Sequence, residues 1–523
     1  MLCAAAFLGL SGCSREHYKA DADKETYKII ESKWQDDFGV MANYRVSDSE
    51  PNAAEVQAMV PPSGVIRLVN AVEMATQYSR EYQSQKESLY LSALGLTETR
   101  HRYDPLLFAA IGADYVWSDD HEDITANGEA SVSQTFLLAN GVQMTTALAL
   151  DWTRFLVGAP ETSLSSLLTS TLAVPLLGAG AGQVAWENLT QAERNVLYRI
   201  RTFNRYRQTF VVSIISDYYR VLQQRESVSI QEASYKRLID STNRVRMEVE
   251  VGQRPSNDLG EAEQQLLSAE QSLVSARQRY EQALDTFKIR LSLPTDANVT
   301  LDPNELRALE DTGISQPQYT EREAIEMALM HRLDLANTRD SLEDTLRKLE
   351  LAAKGLGIQL NLVGTANVNS EPETRWENLQ FDEGVYTLGL EADLPLDRKT
   401  ERNIYREALI SLQQDRRTYD EEVDRIKLAV RQAYRDLAET TESYRIQQVG
   451  LRLARRRVEA EKLSLQYGQG TVRLLLESED ALVQAQNDVL GALVDHTIAK
   501  MSFFRDVGIL HVRPDGMWEQ PAK

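Results

Sequence analysis

Residues 252–287, GQRPSNDLGEAEQQLLSAEQSLVSARQRYEQALDTF, have a counterpart in residues 468–503, GQGTVRLLLESEDALVQAQNDVLGALVDHTIAKMSF. The offset, 468 − 252 = 216, holds position by position. Leu266, Ala269, Leu273, Ala276, Tyr280, Ala283 and Phe287 align with Leu482, Ala485, Val489, Ala492, His496, Ala499 and Phe503. These positions step alternately by three and four, the a/d spacing of a coiled coil. Small Ala alternates with larger side chains, which lets helices approach closely and interlock. Upstream, Gln183 to Glu250 contains almost no helix breaker, so a helix of roughly 100 Å at ~1.5 Å per residue is predicted there. Gly252 to Asp258, with Pro255 inside, is then a turn from which the heptad helix returns, and Gly468-Gln469-Gly470 repeats it. Such a helical hairpin cannot bury its apolar stripe alone and needs neighbouring helices.

Working outward, the duplication covers most of the chain. Ala71-Val72-Glu73-Met74-Ala75 recurs as Ala324-Ile325-Glu326-Met327-Ala328, Pro175-Leu176 as Pro395-Leu396, and Tyr219-Arg220-Val221-Leu222 as Tyr434-Arg435-Asp436-Leu437. Between the first two landmarks copy one has 175 − 71 = 104 residues and copy two 395 − 324 = 71, a difference of 33. The Asp, Asn and Gly around Ser118 to Gly141 assign this excess to a loop. The predicted order in each copy is helix, strand, strand, then two long helices.

The strands are two-faced. From Val142 to Thr153 the even positions (Val142, Met144, Thr146, Leu148, Leu150, Trp152) are mostly apolar, and the odd ones carry Gln143, Thr145, Asp151 and Thr153. Ile358 to Val368 and Tyr386 to Leu394 alternate likewise, whereas Leu107 to Trp117 does so less cleanly. Alternation of this kind puts one face in an apolar medium and one in water, and about 10 residues is the length of a tilted transmembrane strand. A soluble antiparallel sheet on a core gives the same pattern. Four strands per chain cannot close a barrel, for which about eight is the practical minimum. An open edge is forbidden in lipid, so a barrel has to be shared between chains.

Composition narrows the class. The net charge of −21 over 523 residues argues against nucleic acid as a partner. No run approaches the ~18 apolar residues of a membrane-spanning helix, so any crossing is by strands. The N-terminal Leu10-Ser11-Gly12-Cys13, closing the apolar run Ala4 to Leu10, resembles the lipobox of bacterial lipoproteins. That resemblance implies cleavage before Cys13 and acylation of its thiol, with Ser14 favouring the outer membrane. One acyl chain anchors only marginally, so a second anchor is expected.

Catalytic and cofactor motifs fail. His17, His101, His121, His331, His496 and His511 have no metal-ligand spacing, and His496 replaces Tyr280 at a heptad position. Gly178, Gly180 and Gly182 are followed by no Lys-Ser or Lys-Thr, so there is no phosphate loop. Arg455 with Glu459 and Arg457 with Glu461 read as a solvated helix face. Neither an enzyme nor a cofactor-binding protein is predicted.

Two copies of helix, strand hairpin, Pro-Leu and a Gly-tipped helical hairpin resemble the TolC-type outer-membrane efflux proteins over about residues 66 to 510. Thr171 to Gly178 resembles their re-entry into helix, with Pro175 and Pro395 as strand-exit turns, and Val251-Gly252 and Tyr467-Gly468 resemble their helix-tip motif. The resemblance implies an α+β fold in a homotrimer, each chain giving four strands to a shared β-barrel continuous with a long α-helical barrel. It implies an outer-membrane exit duct reaching into the periplasm, with outer-membrane lipid, a periplasmic adaptor and an inner-membrane pump as partners. Acids past the tips, Asp258 and Glu477, are the gate candidates it suggests, while both also suit helix N-termini. Asp151, Glu391 and Asp393 are placed on the lumen side. The expected division is a signal segment at 1–12, an acylated, extended leash at 13–65, a first repeat at 66–296, a linker at 297–321, a second repeat at 322–510 and a tail at 511–523. A duct for protein secretion, or a non-conducting coiled-coil lipoprotein, would share these features.

Overall fold

The computed structural model describes residues 14–35, 38–47, 56, 58–117, 124–138, 141–155, 162–177, 181–314, 319–371, 375–394, 396–513 and 517–519. The first half runs α1 (Arg15–Lys33), β1 (Val65–Ile66), α2 (Leu68–Tyr78), α3 (Arg80–His101), β2 (Leu106–Trp117), β3 (Ile124–Leu137), β4 (Gln143–Phe155), β5 (Thr162–Leu177), α4 (Ala181–Glu250) and α5 (Ser256–Arg290). The second runs β6 (Thr300–Leu301), α6 (Asn304–Thr312), α7 (Glu321–His331), α8 (Leu333–Gly355), β7 (Gln359–Glu371), β8 (Arg375–Leu379), β9 (Val385–Asp393), α9 (Lys399–Gln466), α10 (Val472–Val507), β10 (His511–Val512) and β11 (Trp518–Glu519). Cys13 and Pro395 lie outside the described residues.

Helix lengths repeat closely. Helices α2 and α7 have 11 residues each, α3 and α8 have 22 and 23, α4 and α9 have 70 and 68, and α5 and α10 have 35 and 36. Even the stops coincide: the left-handed residue past the end of α5 is Ser292 (φ +60°) and past α10 is Gly508 (φ +81°), one repeat offset apart. Left-handed backbone suits Gly. Ser292 is held there with its Oγ donating to the Tyr78 carbonyl at 2.8 Å, beside the α2–α3 break.

The strands differ from the sequence expectation. Copy one contributes four long strands, β2 to β5, where two were predicted, while copy two contributes β7 and β9. The 33-residue excess is therefore not a loop: β3 and β4 form an additional hairpin between β2, which follows α3, and β5, which leads into α4. Its first strand hides itself in sequence. Asn127-Gly128 reads as a turn, yet Gly128 sits mid-strand with its missing Cβ 3.5 Å from the Trp152 ring, so the indole fills that space. Strand β5 is Ser-rich and shows little contrast between its faces.

The chain divides into two compact units. The first holds the sheet, α1, and parts of α3, α4, α8 and α9. Here the N-terminal expectation needs correcting: residues 15–33 are helical, not an extended leash. Thr26, Ile29 and Ile30 are buried, Lys33 ion-pairs with Glu193, and the Tyr90 hydroxyl meets Asp23 at 2.7 Å. The apolar stripe of α1 is only a few residues wide, too narrow to stand out among its charges.

The second unit is built on the heptad helices. Ala269, Leu273, Ala276 and Phe287 of α5 are buried, as are Ala492, His496 and Phe503 of α10. Phe287 meets Tyr218 edge-on at 6.1 Å between centroids, and its repeat mate Phe503 meets Tyr434 at 6.2 Å. His496 accordingly packs: it is 2% exposed, its Nδ1 lies 3.3 Å from the Thr441 hydroxyl, and burial, with Lys500 nearby, lowers its pKa. Residues 297–321, predicted as a linker, contain β6, which pairs in parallel with β1, and helix α6.

One core position is mismatched. Lys86 of α3 is 5% exposed and lies 5.1 Å from the centre of the Tyr82 ring. Burial lowers its pKa from 10.5 to about 8. Because the folded pKa is the lower one, the penalty is full below pH ~8 and is relieved as pH rises toward the unfolded value. Replacing Lys86 with Met should raise stability by about 3 kcal/mol at pH 7, and the gain should shrink as pH rises above ~8 and be nearly gone at the unfolded value of 10.5. Thermal unfolding of both proteins across that range checks it.

Candidate functional site

The sheet has one continuous order, β2-β3-β4-β5-β7-β9, every neighbour antiparallel, with the short β8 joined to the end of β7. Residues opposite each other in register share a face, so the pairings link the faces of separate strands. Ile111 pairs with Ala130 and Ala130 with Leu150; Val132 pairs with Leu148, Leu148 with Leu168, and Leu168 with Val368. Farther along the same side, Leu362 faces Leu390 and Gly364 faces Leu388. All three apolar faces read from sequence thus fall on one side of one sheet.

The opposite side is polar. It carries Asn127, Glu129, Ser131, Thr145, Asp151, Ser165, Thr171, Asn361, Thr365 and Thr387 in matching registers. Asp151, Glu391 and Asp393 all belong to it, through their pairings with Ser165, Asn361 and Gln359. They are not brought together, since Asp151 is near the helix-distal end of β4 and the other two are at the helix-proximal end of β9. Sequence reading missed Glu129, which lies directly opposite Asp151. Pro175 sits within β5, where the register with β7 shifts between Pro175 and Leu177; an imide without N–H suits such an irregularity.

Both helix tips are built alike. Gly252 and Gly468 have φ of +76° and +72°, and a Cβ on either would meet nothing within 4 Å. The glycines are therefore required by backbone conformation alone. In each turn the next residue closes a bond five back, Gln253 N–H to Glu248 at 2.8 Å and Gln469 N–H to Ser464 at 2.9 Å. This is the Schellman closure of a helix C-terminus. The two hairpins pack near their tips through Leu238 and Val245 of α4, Ala262 and Ala269 of α5, and Val472 and Leu476 of α10. Arg237 Nε donates to Glu479 at 2.9 Å, and Gln265 bonds Asp480. An alanine at Gly252 or Gly468 should cost about 1 kcal/mol, read as roughly fivefold faster hydrogen exchange at the Gln253 or Gln469 amide.

Residues 158–288 match the sequence profile of the family described as outer membrane efflux protein. The solved structures agree over far more of the chain. The open-state MtrE outer membrane channel of Neisseria gonorrhoeae superposes with a TM-score of 0.63 at 14% identity, covering 90% of this chain and 94% of that one. The chain has the fold of the TolC-type outer-membrane efflux proteins. The outer membrane protein VceC of Vibrio cholerae gives 0.62 at 11% identity over 84% of this chain and 96% of that one. The CmeC outer membrane channel of Campylobacter jejuni gives 0.58 at 12%, over 94% and 93%. No curated protein matches the sequence.

Seen as an efflux-protein fold, the acids past the tips are compensated within the chain. Asp258, in the first turn of α5, lies 3.5 Å from Arg254, which also pairs with Glu248. Glu477 lies 3.6 Å from Arg473. In both cases the arginine is four residues upstream, a spacing visible in the sequence. Farther from the tips, two grooves occupy repeat-equivalent places. One, beside α4 and α5, is lined by Asp217, Arg220, Arg279 and Arg290; the other, beside α9 and α10, by Asp436, Glu439, Asp495, Arg505 and Asp506. Arg290 is paired to Asp217, Arg505 to Asp506, and Arg220 to Asp495. The repeat offset carries Arg279 onto Asp495 and Arg290 onto Asp506. Among the described residues no helix is long and apolar enough to cross a membrane.

Proposed function

We propose that this chain is one third of a passive exit duct: a homotrimer whose shared β-barrel crosses the outer membrane and whose helices enclose a path through the periplasm. The observation that carries the reading is the single apolar face running from β2 to β9, with a polar face behind it and, among the described residues, an unpaired edge at each end. A sheet whose outer face favours hydrocarbon needs its edges satisfied. Copies of the same chain supply them. The polar face then lines a water-filled lumen, with Asp151, Glu391 and Asp393 on the conducting side.

In this reading Gly252 and Gly468 are the tips that part when the duct opens, and Asp258 and Glu477 lie at the entrance. The pairs Arg237–Glu479 and Gln265–Asp480 are contacts that opening would have to loosen. Proline at Gly468 cannot take a φ of +72°, so Gly468→Pro is expected to abolish transport while trimers persist. An inner-membrane pump would supply the energy, and a periplasmic adaptor would meet the outer helical surface. Acylation of Cys13 would add to the hold of the barrel on the membrane.

The test is single-channel recording of the detergent-extracted protein in a planar bilayer under a salt gradient. Discrete cation-preferring steps that change when Asp258 and Glu477 are neutralised support the duct and its gate. Failure of the protein to insert sinks the barrel.

A further inference from the structure

Resting on the reading of a shared barrel, we propose that the β3–β4 hairpin is a wall element, so that three copies close a barrel of eighteen strands instead of the twelve that two strands per repeat would give. The hairpin lies between β2 and β5 in register on both sides, from Leu106↔Thr135 to Trp117↔Ile124 and from Gln143↔Ala173 to Arg154↔Thr162. Its own two strands pair from Thr125↔Phe155 to Leu137↔Gln143. The shift of register at Pro175 lies on the side of β5 away from the hairpin.

Its faces obey the same division of solvent as the rest of the sheet. Val132, Leu148, Leu150 and Trp152 continue the apolar side, while Asn127, Glu129, Ser131 and Asp151 continue the polar one. A hairpin lying in water outside the wall would have no reason to keep that division. The 33-residue excess of copy one corresponds to two membrane-length strands with their turns. Removing the hairpin from the wall would break both of its ladders, with β2 and with β5, and require those two strands to pair with each other instead.

The outer edges fit closure by further copies of this chain. Six long strands is an even number, so β2 and β9 run in opposite directions. Rotational symmetry then sets β2 of one chain antiparallel to β9 of the next, continuing the up-and-down order as a head-to-tail ring. These two strands are also the most exposed in the single chain, with Leu107, Ile111 and Tyr115 on β2 and Leu388 and Leu390 on β9 between 65% and 83% exposed. Barrel diameter grows about linearly with strand number, so the wall would be about half again as wide, in the range where porin barrels hold an open aqueous channel.

The deciding experiment is electron cryo-microscopy of the full-length protein in lipid nanodiscs, counting strands in the wall. Eighteen strands in a threefold barrel is the expected result. A closed threefold barrel of twelve, with β3–β4 projecting from it, overturns the inference and leaves the duct standing; no closed barrel at all overturns the duct. A second measurement needs no map. Val132→Lys should cut the amount of membrane-assembled protein at least tenfold, whereas Ser131→Lys on the polar side should not. Equal tolerance of both would take the hairpin out of the wall.

Discussion

Leu390→Lys is expected to prevent assembly, whereas Gly389→Lys, one residue away, is expected to assemble normally. Leu390 is on the apolar side of β9, across from Leu362, and is 66% exposed in the single chain. A lysine near the bilayer midplane costs ~2–4 kcal/mol. In a trimer the cost recurs three times, roughly 6–12 kcal/mol, which is comparable to the whole stability of a typical domain. Gly389 faces the other way, and a Cβ there meets nothing within 4 Å. Its lysine would extend into water and cost little beyond the pore charge it adds. Outer-membrane fractionation with non-denaturing gel separation of trimers reads both variants. A sheet whose Leu390 face lay in water would tolerate both substitutions alike.

Asp344→Ala should destabilise the helices next to the sheet by about 3–5 kcal/mol, the range for breaking a buried ion pair. Asp344, on α8, is 2% exposed and its carboxylate is surrounded by donors from α4. Arg194 Nε lies at 2.7 Å, the Tyr198 hydroxyl at 2.6 Å and Gln191 Nε2 at 3.1 Å, with Arg347 Nη1 of its own helix at 2.8 Å. Burial first, then the bond to Asp344, raises the Tyr198 pKa to about 12. Arg347 keeps Glu187 and Arg194 keeps Glu343 when Asp344 is lost, so the lower end of the range is expected if those acids absorb the charge. Tyr198→Phe removes the hydroxyl that donates to Asp344 and accepts from Arg194 Nε but leaves the ion pair itself, and should cost only ~1 kcal/mol. Helical circular dichroism during thermal unfolding distinguishes the two. Because Asp344 belongs to the second copy and its partners on α4 to the first, the network couples the two repeats beside the sheet.

Much of this architecture was legible because duplication and periodicity are long-range signals that survive local noise. The a/d positions from Leu266 to Phe287 and from Leu482 to Phe503 are all buried or partly buried, since a stripe repeated every 3.5 residues has only one way to leave water. The apolar faces of β4, β7 and β9 were likewise readable, because each alternates strongly between Leu and polar neighbours. Strands β3 and β5 were not. Their residues are mainly small, so both faces look alike until cross-strand neighbours assign a side to each. Gly128 illustrates the difficulty: its identity depends on Trp152, which is distant in sequence and adjacent only across the ladder.

The candidate gate acids show the same division. Sequence placed Asp258 and Glu477 past the glycine tips with Arg254 and Arg473 four residues upstream, and the structure shows those arginines at 3.5 and 3.6 Å from the acids. Sequence by itself determined the repeat, the helical hairpins, the need for glycine at their tips and the two-solvent character of the clearest strands, because each follows from local conformation or from period. Tertiary structure alone decided the number of strands, their order and which apolar faces coincide. Strand pairing joins residues far apart in the chain, and hydrogen bonding between backbones leaves no mark on the side chains that sequence can display.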